Sequence, residues 1–594
     1  MTYNKKYKGE GEEMLKKMKI IFIWFIFFSS QIFIYAQDSF KSPFGIASGA
    51  EWSKEFPRFN PILKKNGIRW LRYFPEWNTI QSEQDKWNWE FADELVADCK
   101  KNGLHLSGGF AYFARFASAD GGTRKGPIKD IEYWRKYVKT VAERYKNDIK
   151  YWEVWNEFNG SFYQGNNKAQ EYADLVKAAY EEVKKVSPDI KIGISCANFD
   201  LGFFDAAIKA GAGGHFDFVA VHPYENLASV INDGDEANYL NMAASLRKML
   251  KENKQNGNIA LWITETGIQS TIQADETTDA LQAEALIKVY ILSIVQGFEK
   301  IFWFEARGPA YGKNTDHGLI RHDWTERPAL RSLQTMVSLI GEVPIYTGWL
   351  KVGNEGYGFL FSNNNSDILV AWAKIDTNEK IVFQTPIKII NYIGEEKNLS
   401  AGEEIILTRR PLFILNIPRE LIEQAYKNKE LPFPWGTDYS NVDEVYCRLG
   451  ATNMEKGIKQ VRLETSAVEN GLTESWRKTN FAHGSEGRYM YFRVDPSFAS
   501  FGTKELEITV VAKRVSPDKS AGMILCYESL NGYRGVKNGW WTIPEDDKWH
   551  SHTWVVNDAN FVGGWGWNFR TDAISSPNEF YIKEVKVKKI NKKN

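Results

Sequence analysis

From residue 43 to about residue 341 the chain alternates two patterns: short runs rich in β-branched and aromatic residues, and longer stretches with apolar residues at i, i+3 and i+4. The first pattern suits strands buried on both faces, the second helices with one apolar stripe. Strands are expected at 44–48, 68–74, 105–113, 149–155, 191–197, 216–223, 261–266 and 300–306, with helices such as 131–145, 169–186, 239–252 and 280–296 between them. Eight strand–helix units in about 300 residues predict an α/β fold, a closed (β/α)8 TIM barrel over 37–343. An open doubly wound sheet is the alternative, but no glycine-rich phosphate turn follows the first strand.

Past residue 344 the period drops to two. The runs 357–361 and 368–372 flank Asn363-Asn364-Asn365-Ser366, a hairpin signal, and further short runs follow to residue 417. This predicts a small β-sandwich over 344–417 packed on the barrel. A proline-containing linker, 418–436, leads to a C-terminal jelly-roll-like β-sandwich over 437–594. Trp540, Trp541, Trp549, Trp554, Trp565 and Trp567 crowd part of that module. They read equally as a carbohydrate-binding surface and as sandwich core.

Charge narrows the partners. Lysine plus arginine equals aspartate plus glutamate at 75 each in the 594 residues, so no net field gathers nucleic acid or an anionic membrane. The 22 Trp, 27 Tyr and 36 Phe supply rings that stack on sugars or fill cores. Lys16, Lys17 and Lys19 precede an uncharged run whose strongest apolar part ends near Phe28, short of the roughly 20 residues a membrane span requires. A signal peptide over 1–36, cleaved after Ala36, is expected, making the protein exported (periplasmic, cell-surface or secreted) with no membrane attachment afterwards; an uncleaved anchor is the competing reading. Cys99, Cys196, Cys447 and Cys526 are too scattered for a disulfide framework. No metal-ligand motif is present, so neither a metal nor another cofactor is expected.

In such a barrel every strand delivers its C-terminal residues to one face, so distant positions converge there. The fourth strand ends Trp155-Asn156-Glu157 and the seventh ends Thr264-Glu265-Thr266. Two carboxyl groups at strand ends, in aromatic surroundings, are what cleavage of a glycosidic bond needs: one protonates the leaving oxygen, and the other attacks or activates water.

Asn156-Glu157 and Glu265 resemble the signature of glycoside hydrolase clan A. Trp303-Phe304-Glu305-Ala306-Arg307, Asp316-His317-Gly318-Leu319 and Arg327-Pro328-Ala329-Leu330 resemble family 39 within it, which includes β-xylosidases and α-iduronidases. The likeness covers about half the chain. It implies a retaining hydrolase acting on a polysaccharide or oligosaccharide, with Glu157 as general acid/base and Glu265 as nucleophile. On that reading Glu157 should have a raised pKa and Glu265 should be held ionised, with Arg72 as the supporting cation. Arg69 and Arg72 differ in parity, so only one enters the barrel. The resemblance also brings in His222 and Tyr224 beside the nucleophile and sugar, and Asn156 against a sugar hydroxyl. Trp303 reads either as a sugar platform or as barrel core, and Glu305 either as a hydroxyl ligand or as a salt-bridge partner of a rim arginine. Trp77, Arg115, Asp316 and His317 are lesser loop candidates, and Glu153, which precedes the strand tip, is expected either to support a site residue from behind or to be structural. A catalytically silent sugar-binding protein and a transglycosylase fit the same residues.

Overall fold

The computed structural model describes residues 39–48, 54–121, 126–308, 313–363, 366–375, 377–502, 504–529 and 531–590. The expected signal peptide lies outside them. Eight strands close into a barrel in sequence order: β1 (Phe44–Ala47), β2 (Trp70–Arg72), β3 (His105–Phe110), β4 (Ile149–Val154), β5 (Lys191–Ala197), β6 (Phe218–His222), β7 (Ala260–Thr266) and β8 (Lys300–Phe304). Every pairing is parallel, and β1 closes on β8 with Phe44 opposite Ile301. The open doubly wound sheet is thereby excluded.

The barrel interior holds Ala47, Trp70, Phe218, Ala220, Trp262 and Phe302, a filling more aromatic than the branched aliphatics usual there. Glycine makes the room. A Cβ on Gly45 would lie 2.5 Å from the Phe302 ring, and one on Gly193 2.2 Å from Phe218. Trp70 fixes the inward parity of β2, so Arg72, two residues on, also turns inward at the C-terminal mouth. Arg69 turns outward and donates from Nε to Glu342 at 2.7 Å.

Next comes a six-stranded antiparallel sheet, ordered Ile345–Val352, Gly356–Asn363, Ser366–Trp372, Leu412–Leu415, Ile387–Asn391, Glu396–Leu399, beside a two-stranded ribbon, Glu379–Val382 with Glu404–Leu407. One side of the sheet has its own apolar core, while Tyr357, Phe359 and Trp372 join the barrel cluster. Charge is buried at this seam. Lys288, 1 % exposed on the helix Glu276–Ile294, lies 2.9 Å from both Glu236 and Glu284; Arg409 also reaches Glu284, and Trp372 Nε1 donates to Glu236. Lys288→Met leaves these carboxylates without their shared cation, so a loss of about 3–5 kcal/mol is expected, read as an earlier urea or thermal transition. An unmoved transition would refute the assignment.

The span 418–436 is not a bare linker. It forms the helix Arg419–Asn428, and Asn428 Nδ2 donates to the Trp349 carbonyl at 2.9 Å. Trp435 then packs against Tyr357, 4.7 Å between centroids. Prolines 418, 432 and 434 mark chain direction changes here, while Leu421, Ile422 and Ala425 anchor the helix to the sheet core.

The C-terminal module is a two-faced antiparallel sandwich. One face orders Glu444–Arg448, Phe580–Lys589, Lys504–Arg514 and His550–Ala559; the other Gly522–Ser529, Phe569–Asp572, Tyr489–Val494 and Ile458–Val461. They meet through Ser529 and Ala559 and enclose one core. Cys447 lies in that core, Cys526 faces away from it, and all four cysteines are free. Among the described residues, no helix is long and apolar enough to cross a membrane.

Candidate active site

The mouth of the barrel gathers carboxylates from β4 and β7 around one cation from β2. The chain leaves β4 with Trp155 at φ 63° and Glu157 at φ 50°, left-handed conformations costly for side chains of this size. Burial holds them. Trp155 is fully enclosed and packs edge-on against Tyr112 and Phe158, while Asn159 clamps the following turn by accepting from the Ala197 amide at 2.8 Å. Glu157 is thereby presented over the barrel axis.

Arg72 donates from Nε and Nη2 to Glu153 at 2.7 and 3.2 Å, from Nη1 to Glu265 at 3.1 Å and from Nη2 to Asn156 at 2.9 Å. Tyr224 Oη donates to the other Glu265 oxygen at 2.7 Å. His222, fully buried at the end of β6, places Nδ1 2.9 Å from Glu157 and Nε2 3.1 Å from Thr264 Oγ1. Thr264 in turn donates to Glu153 at 3.2 Å. Strict alternation would put Thr264 and Glu265 on opposite faces, but the β7–β8 register shifts between Ile263 and Thr266, and both side chains reach the site.

The electrostatics follow from these contacts. Burial pushes the Glu157 carboxyl up, but the His222 hydrogen bond and charge, helped by Arg72, bring it net below the usual range. The expected upward shift is therefore corrected for the free enzyme: the opposing influences come from side chains that approach only in the folded barrel. Burial and then the Glu265 charge raise the Tyr224 hydroxyl well above its ordinary value, keeping it a donor. Burial opposes charge on Arg72, yet Glu153 and Glu265 outweigh it and hold the guanidinium protonated.

Two expected site residues lie elsewhere. Trp303 is fully buried in the layer between barrel and helices, its Nε1 donating to the His317 carbonyl at 3.1 Å. It has odd parity on β8, whereas Phe302 and Phe304 face inward, and Phe304 packs against Tyr224 and His317. Glu305 is also fully buried, behind Tyr224, whose hydroxyl its charge helps to raise. It presents no surface to a sugar. Of the lesser candidates, Trp77 is core, stacked on Tyr137, Asp316 is buried against Arg327, and Arg115 is exposed; His317 sits 5.7 Å from Tyr224, its pKa lowered to about 4 by burial. The sequence does not single out Thr264 or Phe304, and it places Glu153 behind the site or in the scaffold without showing that it seats Arg72.

Donor atoms of Glu157, His222 and Glu265 lie within 4.8 Å of one another, a spacing that a metal ion could also use. Both Glu265 oxygens are already engaged, and the adjacent guanidinium repels a cation, so these residues suit a neutral ligand better.

Residues 122–375 match the family model described as Glycosyl hydrolases family 39. By this match the barrel resembles the glycosyl hydrolases of family 39. A family 39 glycoside hydrolase from the gut symbiont Bacteroides cellulosilyticus WH2 shares this fold with a TM-score of 0.54 at 19 % identity, over 64 % of this chain and 82 % of that one. In sequence, the chain is 26 % identical over 146 residues to endo-1,4-beta-xylanase A of Halalkalibacterium halodurans, covering 21 % of this chain and 35 % of that protein. It is 27 % identical over 119 residues to an endo-1,4-beta-xylanase/feruloyl esterase of Xylanibacter ruminicola, covering 19 % and 15 %. The chain thus spans about a third or less of the curated relatives it matches. The family 39 match runs from before β4 to beyond β8 and so includes both carboxylates at the barrel mouth.

Proposed function

We propose that the protein is a retaining glycoside hydrolase in which Glu157 is the general acid/base and Glu265 the nucleophile. The observation that carries this is the placement of both carboxylates, with His222, inside 4.8 Å. Retaining enzymes hold their carboxyl groups roughly 5–5.5 Å apart, whereas inverting ones leave roughly 6.5–9.5 Å for a water. The surroundings of Glu265 suit a nucleophile, because Tyr224 and Arg72 hold one oxygen each and stabilise its negative charge until attack.

In the first step Glu265 bonds to the anomeric carbon as the bond to the leaving oxygen breaks, and Glu157 passes its proton to that oxygen. In the second, water bonds to the anomeric carbon, Glu157 takes its proton, and Glu265 leaves as carboxylate. Glu157 must be protonated for the first step although the free enzyme favours its anion. A bound sugar covers the 18 % of its side chain still exposed and strengthens the burial that drives the pKa upward.

Both curated relatives are named as endo-1,4-beta-xylanases, which makes β-1,4-linked xylan and its oligomers the first substrates to try. A panel of aryl glycosides and polysaccharides tests the activity, and proton NMR of the first-formed sugar tests the stereochemistry. An inverted anomer would remove the double displacement, and binding without turnover on every substrate would favour a silent sugar-binding protein. We also infer export, supported by the basic, apolar, small-residue order over 1–36; full-length protein confined to the cytoplasm on cell fractionation would refute it.

A further inference from the structure

Of the six tryptophans crowded in the C-terminal module, Trp554 and Trp567 are buried, Trp541 and Trp549 are partly covered, and Trp540 and Trp565 are exposed. Trp565 is the most open, at 53 %. One face of its indole stacks on Tyr533, 4.3 Å between centroids at an interplanar angle of 12°. Its exposed area is therefore concentrated on the other face.

The loop that carries it is pinned by hydrogen bonds. Glu528, fully buried, accepts from the amides of Val562, Gly563 and Gly564 at 2.8 Å each and from Asn568 Nδ2 at 2.9 Å. Tyr533 Oη accepts from the Trp565 amide and donates to the Trp567 carbonyl. An aromatic side chain held open by this many contacts is organised beforehand for a flat apolar ligand face.

Its location gives the ring a use. A Cβ on Gly566 would come within 3.4 Å of Glu225, the residue after Tyr224, whose hydroxyl holds Glu265. Gly202, in the first turn of the helix Leu201–Ala207 that follows β5, meets Asn560 just before the same stretch. At the far end of the helix Tyr224–Asp233, Arg493 bonds Ser229 at 2.6 Å and pairs with Asp235, and Lys459 donates to the Asp233 carbonyl. These contacts clamp the module onto the barrel rim at the segments that follow β5 and β6.

We propose that Trp565 is a sugar-stacking platform contributed by the C-terminal module to the active-site cleft, holding a pyranose of a longer glycan distal to the bond cleaved between Glu157 and Glu265. This rests on the glycosidase reading. The test compares wild type, Trp565→Ala and Trp565→Phe on an aryl monosaccharide glycoside and on the six-sugar oligomer of the polysaccharide that wild type cleaves. Trp565→Ala is expected to lower kcat/KM on the oligomer about fivefold to tenfold through KM, leave the aryl glycoside within about twofold, and be largely restored in Trp565→Phe. An unchanged oligomer-to-aryl ratio with normal wild-type turnover would overturn the platform alone. Absence of wild-type turnover on any glycoside would overturn the hydrolase reading and the platform with it.

Discussion

Glu265→Gln is expected to lower kcat by about 10⁴-fold, close to 5.4 kcal/mol of transition-state stabilisation, with thermal stability near wild type. The amide is isosteric, and Tyr224 and Arg72 can still meet its two ends, so the fold keeps its contacts while the attacking oxygen is lost. Glu157→Gln should cost about 10²–10⁴-fold on a poor leaving group and much less on an aryl glycoside whose leaving oxygen needs no proton. Azide separates the two roles. In Glu265→Ala it attacks from the vacated side and gives a glycosyl azide of inverted configuration, whereas in Glu157→Ala it attacks the glycosyl-enzyme and gives the retained one. The opposite pairing would exchange the assignments. His222 supplies a pH test: its hydrogen bond and charge lower the Glu157 pKa against burial, so in His222→Asn burial prevails and the pKa rises. The acid then stays protonated to higher pH, and the basic limb of kcat/KM moves upward. A limb that stays put or moves down would contradict this origin of the shift.

The two glutamates were legible because barrel topology converts strand-end positions into neighbours whatever their sequence separation. The same logic failed at β8. Lys300, Phe302 and Phe304 alternate with Ile301 and Trp303, and both sets are apolar enough to be buried, so composition does not say which faces inward. The packing of Phe302 against Trp262 and of Lys300 over Trp70 decides it, and Trp303 falls outside the barrel. Thr264 was hidden for a different reason: a register shift breaks the period of two that sequence reading assumes. The direction of the Glu157 shift depends on His222 at 2.9 Å, a contact between residues 65 apart. The helix Arg419–Asn428 carries Leu421, Ile422 and Ala425 on one face, but the flanking prolines give the same span the composition of a connector.

Arg72→Met is expected to have the largest effect on stability at the site. Glu153 is 1 % exposed in its side chain and takes two of its three side-chain hydrogen bonds from Arg72, the third coming from Thr264. Removing the guanidinium strands a carboxylate at the barrel mouth, which costs about 3–5 kcal/mol. At about 2–4 °C per kcal/mol for domains of 150–250 residues, the thermal transition should fall by at least about 6 °C. Activity should fall as well, because Glu265 loses the guanidinium that orients one of its oxygens and Asn156 loses its anchor. Glu153→Gln in the Arg72→Met background separates these effects: the amide removes the stranded charge and should recover much of the stability, while turnover stays low because Glu265 still lacks its partner. A double variant no more stable than Arg72→Met would show that the guanidinium does not act by neutralising Glu153. One that recovered turnover would show that Arg72 serves only to seat that buried carboxylate.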